Sequence, residues 1–296
     1  MSSSFSSSLE SSSNPLMGYM RHPKIYISLP SNGLYWQTGS IDITENGLYP
    51  VFSMTARDEL IFKTPDALLN GQAIVEVIQS CMPNIKNAWL TPATDIDTIL
   101  IAIRISSYGE MMDITHNVPN TDESVTHQID LRILLDEVNK GPAWQEAVEC
   151  NDEITCFIKP LTYKHMSKVS LKTFEVQRMI QSVNDSELEE DQKIKLFNKS
   201  VESMTDLTID VIVESIESIQ TPHAIVTDKV FIKEFIENSD SSISKKIQSH
   251  VLTMREKQGI QPVMVRAEPE HIDKGAPETY YIPITMDNSD FFGQGS

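Results

Sequence analysis

The residues best placed to do chemistry gather around a hairpin that lacks the cysteines its outline calls for. Residues 111–131 read as two strand-like arms, Met112-Asp113-Ile114-Thr115 and His127-Gln128-Ile129-Asp130-Leu131, flanking a polar turn. Two strands joined by a C-x2-C turn commonly hold zinc, because the turn sets both thiolates on one side of the ion and a second pair closes the tetrahedron. Here Val118-Pro119-Asn120-Thr121 occupies the place of C-P-x-C. A second hairpin, Pro262 to Phe292, has the same outline and again no cysteine. His116, His127, Asp113, Asp122 and Glu123 ring the first loop, and His271, Glu268 and Glu270 mark the second. A His/carboxylate metal site is conceivable there, but nothing fixes its ligand geometry and loops are ordinarily polar. No metal and no cofactor is expected.

Other reaction chemistries find little support. The chain has no G-x-S-x-G elbow, no G-x4-G-K-[ST] loop, no G-x-G-x-x-G after a strand and no H-E-x-x-H. The tight acid pairs Asp58/Glu59 and Asp95/Asp97 fall at helix starts, where acids complement the dipole. Cys81 sits near a helix C-terminus, the wrong end to lower a thiol pKa. Cys81, Cys150 and Cys156 make neither an even disulfide framework nor a zinc spacing. The expectation is a protein that is not an enzyme.

Composition narrows the class further. With 296 residues and 40% hydrophobic content, the chain can bury a core without covalent staples. A formal charge of −18 argues against a general nucleic-acid surface, which needs clustered Lys and Arg to release counterions. No uninterrupted apolar run reaches the 18 or so residues of a membrane span. The serine-rich N-terminus lacks the apolar centre of a signal peptide, so a reducing cytosol is the expected setting.

The elements that must carry these residues follow from caps and periodicity. Residues 1–22 are expected to form a disordered serine-rich arm, with Phe5 among its few anchors. Lys24 to Leu29 alternates as a strand, Pro30-Ser31-Asn32-Gly33 turns, and Ser40-Ile41-Asp42-Ile43 reads as a second short strand. Thr55-Ala56-Arg57-Asp58 is a capping box opening a helix. Thr64-Pro65-Asp66 starts another, carrying Leu68, Leu69, Ile74, Val75, Val77 and Ile78 to a stop near Cys81-Met82-Pro83. Asp95 to Tyr108 is apolar on several sides and should be buried all round, with Gly109 as a left-handed stop. Arg104 lies on the same face as Tyr108 and is expected to tie the helix to nearby carbonyls or a carboxylate.

Beyond the first hairpin, Leu131 to Lys140 reads as a short helix and Ile154 to Ile158 as a strand closing against the hairpin arms. Residues 165–257 are expected to be largely helical, with an acidic break at 184–191. The longest helix, about Ser186 to Ser218, spaces Ile194, Phe197, Val201, Met204, Thr208 and Val211 by threes and fours. That stripe suits either a coiled-coil seam for a partner helix or, more commonly, a core face packed on Val230, Phe231, Phe235, Ile243 and Ile247.

Read in order, several landmarks resemble the baseplate hub assembly proteins of contractile-tailed bacteriophages. They are Leu29-Pro30-Ser31-Asn32-Gly33-Leu34-Tyr35, Met54-Thr55-Ala56-Arg57-Asp58-Glu59, Ile103-Arg104-Ile105-Ser106-Ser107-Tyr108-Gly109, Lys159-Pro160-Leu161-Thr162-Tyr163 and the terminal Asp290-Phe291-Phe292-Gly293. The resemblance spans roughly residues 22–293. It implies an α+β protein with an N-terminal β unit, a degenerate zinc-knuckle-like hairpin with buried helices, a helical middle domain and a C-terminal β-hairpin. Its expected divisions are 1–22, 23–164 with the hairpin at 111–131, 165–257 and 258–296. The family's cysteine-bearing hairpins do not carry over, and pairing of Ile114 with Ile129 and Val265 with Ile282 is expected to hold these two instead.

The resemblance further implies binding to hub components and to tape-measure proteins, in the host cytoplasm during assembly, as a chaperone-like factor or as a permanent hub subunit in the virion. A metal- or nucleic-acid-binding protein with cryptic zinc hairpins is the rival from another class. Expected contact residues are Phe5 in the arm, Val118 and Pro119 in the first loop, and Asp290, Phe291 and Phe292 at the end. Arg57, Asp58, Arg104, Tyr108 and Gly109 are expected to be structural.

Overall fold

A computed structural model describes residues 15–16, 19–62, 71–184 and 190–284. Phe5, most of the serine-rich arm, the Thr64-Pro65-Asp66 start signal with Leu68 and Leu69, most of the acidic break and Asp290-Phe291-Phe292 lie outside the described residues. The fold is α+β, built from helices and several small antiparallel sheets.

Strand β1 (Pro23–Ile27) buries Ile27 and points Lys24 and Tyr26 outward, the period-two pattern of a one-sided strand. Its partner is β2 (Tyr49–Phe52), with Ile27 opposite Tyr49. The segment Ser40–Ile43, expected as a second short strand, forms only one isolated bridge, Ile41 to Ile85. The Ser40 carbonyl accepts from Lys86 and Asn87, and the Asp42 amide donates to Asn84, so this stretch is tied to the loop after a helix and not to β1.

Helix α1 (Ala56–Phe62) opens on the expected capping box. The Thr55 amide donates to the Asp58 carboxylate at 2.7 Å, and the Asp58 amide donates back to Thr55 Oγ1 at 3.3 Å. Helix α2 (Gln72–Cys81) starts at Gly71, whose φ of 78° suits a residue without a side chain. A Cβ there would run into the hydroxyl of Ser167. A single 3-10 turn (Ala88–Leu90) leads to α3 (Ala93–Tyr108), which is buried on every side, as its sequence predicts. Ile99, Ile101 and Ile103 have no exposed surface, and each such side chain contributes about 1.5–3 kcal/mol of burial. Gly109 does stop the helix with positive φ (94°), but its ψ of 178° is extended and not left-handed helical. The chain therefore runs straight into the first hairpin.

That hairpin is β3 (Met111–Asn117) with β4 (Ser124–Asp130), followed by α4 (Leu131–Asn139) capped by the Asp130 side chain on the Arg132 amide. Ile114 faces His127 and Ile129 faces Met112, so the expected Ile114–Ile129 pair is shifted by two residues along the strand while keeping its face. These elements close a first core running from Ile27 to Val138.

A second core lies under a four-stranded sheet ordered β5 (Ala147–Glu149), β6 (Thr155–Ile158), β7 (Ile216–Gln220), β8 (Ile225–Val226). Strand β6 was expected against the hairpin arms; it pairs with β5 and β7 instead. Helix α5 (Tyr163–Asn184) packs antiparallel to α6 (Glu190–Ser215), and α7 (Lys229–Asn238) and α8 (Ser241–Gln258) complete the unit. The long helix ends at Ser215, three residues short of expectation, because the half-buried Lys229 donates its ammonium to the carbonyls of Val213 (2.6 Å) and Ile216 (2.5 Å), capping the helix as the chain turns into β7. The second hairpin is β9 (Val263–Arg266) with β10 (Thr279–Ile282), joined by the short helix α9 (Pro269–Asp273). Val265 faces Tyr280 and Ile282 faces Val263, again a two-residue shift from the expected pair.

Candidate functional site

The two hairpins do not stand apart; each is the other's seat. Val118 is 1% exposed and packs with Ala267, Ala276, Tyr280 and Ile282 in a third small core. Its side chain is therefore buried within the molecule and has no surface to give a partner, whereas Pro119 stays partly exposed. His116 and His127 stack with ring centroids 5.1 Å apart, and His116 Nε2 meets the Tyr280 hydroxyl at 2.9 Å. Burial, then the neighbouring His127, lowers the His116 pKa from its ordinary value. At the loop end Glu123 binds Lys274 at 2.5 Å and His271 at 3.2 Å. The lysine hydrogen bond is foremost in lowering the Glu123 pKa. The imidazoles are thus committed to stacking and to a phenol. Among the described residues no group of three or more His, Cys, Asp or Glu side chains is placed to hold a metal ion.

The structural residues read from the sequence do more than their helix positions suggested. Asp58 is buried, and besides its cap it accepts from Ser80 Oγ at 2.9 Å and lies 3.7 Å from Arg21. Arg57 is exposed beside it. Arg104 does not bind carbonyls or a carboxylate through Nε or Nη1, which are buried without a hydrogen-bond partner. Its guanidinium instead lies 4.6 Å from the Tyr108 ring centroid, a desolvated cation–π contact worth about 2 kcal/mol.

Asp95 is wholly buried and accepts from the Ser31 amide (2.8 Å), the Ser31 hydroxyl (2.5 Å) and Trp36 Nε1 (2.7 Å). Burial raises its carboxyl pKa, while these hydrogen bonds pull the other way. An acid placed by sequence at a helix N-terminus thus also anchors the loop after β1. The Lys159–Tyr163 landmark joins two helix starts: the Ala93 amide donates to Leu161, the Tyr163 amide to Thr91, and Tyr163 stacks on Trp89 at 5.9 Å.

The surface that stands out is on the helical pair. Leu207, Ile212 and Val213 of α6 are the side chains turned into the protein, with Ile209 packed against the same core. The first part of the stripe of threes and fours is left outside: Ile194 and Phe197 are each 53% exposed and Val201 is 49% exposed, while Met204 and Val211 are half-buried. The expected core packing forms in part: Phe235, Ile243 and Ile247 share the second core with Ile212 and Val213, whereas Val230 and Phe231 are themselves exposed on α7. An apolar side chain on a solvent-facing helix stripe forfeits its burial energy unless something covers it.

Beside the stripe runs a groove of about 600 Å³ along α6, floored by Phe197, Val201, Met204 and Ile212 and walled by Val176 and Ile180 of α5 and by Ser241, Ser244 and Gln248 of α8. Glu237 is the charged residue among those lining it. In a chain of net charge −18, a groove with an apolar floor and a single charged lining residue, Glu237, is a distinctive surface.

Residues 52–261 match the model of a protein family described as the T4 bacteriophage base plate protein, more than two thirds of the chain. The chain belongs to the T4 bacteriophage base plate protein family. This membership gives it a structural or assembly role in a phage baseplate, among other baseplate components. No curated protein and no solved structure matches the chain. The region matched to the base plate protein family takes in the capping box, α3, the first hairpin and all four long helices around the groove; β1 and the second hairpin lie outside it. No helix of the described residues is long and apolar enough to cross a membrane.

Proposed function

We propose that this baseplate protein acts in building the hub, by binding hub components through the groove and stripe of α6, and that it catalyses no reaction. The observation that carries the reading is the exposed row Ile194, Phe197 and Val201, which runs into an apolar-floored groove with Glu237 as its one charged lining residue, in a family whose members serve a baseplate. Spacing by threes and fours over four turns is what a second amphipathic helix needs to interdigitate. The groove's hydroxyl and amide walls select an occupant with an apolar stripe and uncharged flanks. We take that occupant to be a helix of a hub or tape-measure protein, acting at a site in the host cytoplasm during assembly. Pro119, Phe5, Asp290, Phe291 and Phe292 remain proposed secondary contacts.

The test is co-expression with tagged hub proteins of the cognate phage, comparing the native chain with Phe197→Asp/Val201→Asp. Both substitutions lie on exposed positions, so circular dichroism of the variant is expected to match the native chain. Co-purification is expected to fall at least tenfold, and undiminished co-purification would refute the reading. Mass spectrometry of purified particles separates an assembly factor, absent from the virion, from a permanent hub subunit, present in fixed ratio.

A further inference from the structure

The turn that joins β5 to β6 holds the two remaining cysteines side by side. Cys150 and Cys156 are both buried free thiols with their sulfur atoms 3.3 Å apart, joined by an S–H···S hydrogen bond. The placement is built and not incidental. The Cys150 amide donates to the Ile154 carbonyl at 2.9 Å, and Asn151 Oδ1 accepts from the amides of Glu153 (3.0 Å) and Ile154 (2.8 Å), which locks the turn. Val148 is the residue directly opposite Cys156, so Cys150 stands two residues further along, on the same face, reaching its partner diagonally. Lys246 of α8 donates to the Cys150 carbonyl at 2.7 Å and fixes the strand end from outside.

We propose that Cys150 and Cys156 form a redox-active dithiol, open while the chain is in a reducing compartment and closed to a disulfide by a small peroxide. The sulfurs must approach from 3.3 Å to about 2.05 Å, a side-chain adjustment within one turn. The thiol–thiol hydrogen bond between the two is foremost in drawing the Cys150 thiol down to about 7, with Lys246 helping, while it pushes Cys156 up. Cys150, at the end of the edge strand and beside Lys246, is therefore the nucleophile. Its thiolate attacks one peroxide oxygen and hydroxide leaves, giving a sulfenic acid. The Cys156 sulfur then attacks the Cys150 sulfur, the S–OH bond breaks, and the Cys156 proton leaves with that oxygen as water. Two thiols lose two electrons, and one hydrogen peroxide becomes two waters. Access comes through the turn, where Asn151, Asp152 and Glu153 beside Cys150 are exposed, at the edge position of β5 in the sheet. Cys81 is excluded from this chemistry: burial and then Asp58 push its thiol up to about 12.

The test treats the native chain with dilute hydrogen peroxide, then unfolds it, alkylates free thiols and maps peptides. The expected result is loss of two hydrogens from the intact mass, a fall from three alkylable thiols to one, a bridge between Cys150 and Cys156, and full reversal by dithiothreitol. Cys81→Ser is expected to close in the same way, and Cys156→Ser to stop at a dimedone-reactive Cys150. Three thiols still alkylable, a bridge involving Cys81, an intermolecular bridge, or oxygen adducts without a bridge would each overturn the proposal. The native-chain mapping decides the question even if Cys156→Ser does not fold.

Discussion

At the scale of single residues, buried polar groups do the positioning, and two of them give predictions. Asp95 satisfies two Ser31 donors and the Trp36 indole from inside the first core. Asp95→Asn turns one acceptor into a donor facing N–H or O–H groups, and each donor left unsatisfied costs about 1–3 kcal/mol. Denaturant unfolding is expected to show a loss in that range, and an unchanged midpoint would mean the network carries no weight. His116 is the second case, because burial and His127 hold its pKa below the ordinary value. The unfolded chain then takes up the proton first. The stability His116 contributes is present above its unfolded pKa of about 6.5 and is lost as pH falls through the lower folded value. The groups facing it are His127 across the hairpin and Tyr280 from the second hairpin. Melting temperature is expected to fall between pH 7.5 and 5.5, and less steeply in His116→Gln; identical slopes would remove His116 as the cause. The capping box at Thr55 and Asp58 was legible in the sequence because caps are local. The Asp95 network was not, since its partners are 64 and 59 residues away.

At the scale of elements, tertiary partners decided what periodicity left open. The buried helix Ala93–Tyr108 was readable because apolar residues on every side leave no other home. The hairpin faces were readable from alternation, but their register was not, since a slip of two preserves the face. The stripe on α6 carried a true period with two possible coverings, and no local signal says that Leu207, Ile212 and Val213 would turn inward instead. Strands β7 and β8 inside a helical stretch were likewise hidden, because the helix is ended from a distance by Lys229. Two element-scale predictions follow from these placements. Lys229→Met leaves the last carbonyls of α6 unsatisfied and is expected to destabilise the second core by about 2 kcal/mol, read as a lower denaturation midpoint. Val118→Asp buries a charge between the hairpins and is expected to open the joint, so that limited proteolysis cuts within Val263–Ile282 while the helical unit resists. Unchanged cleavage would mean that the hairpins do not depend on each other.

At the scale of the whole molecule, the described residues form three cores, the third seating the second hairpin on the first, and the start of the α6 stripe is turned out. The two hairpins are held by side-chain packing, a histidine stack and the contacts of Glu123 with Lys274 and His271. The family match covers the helices that build the groove, and the outward stripe is the surface we propose for the baseplate role. Hydrogen–deuterium exchange on the native chain, free and in complex with the cognate hub component, tests that account most directly. The account predicts slower amide exchange on complex formation across residues 193–208 of α6, where the stripe and groove are covered. Exchange there that is identical in the free and bound states, with protection appearing elsewhere, would contradict it.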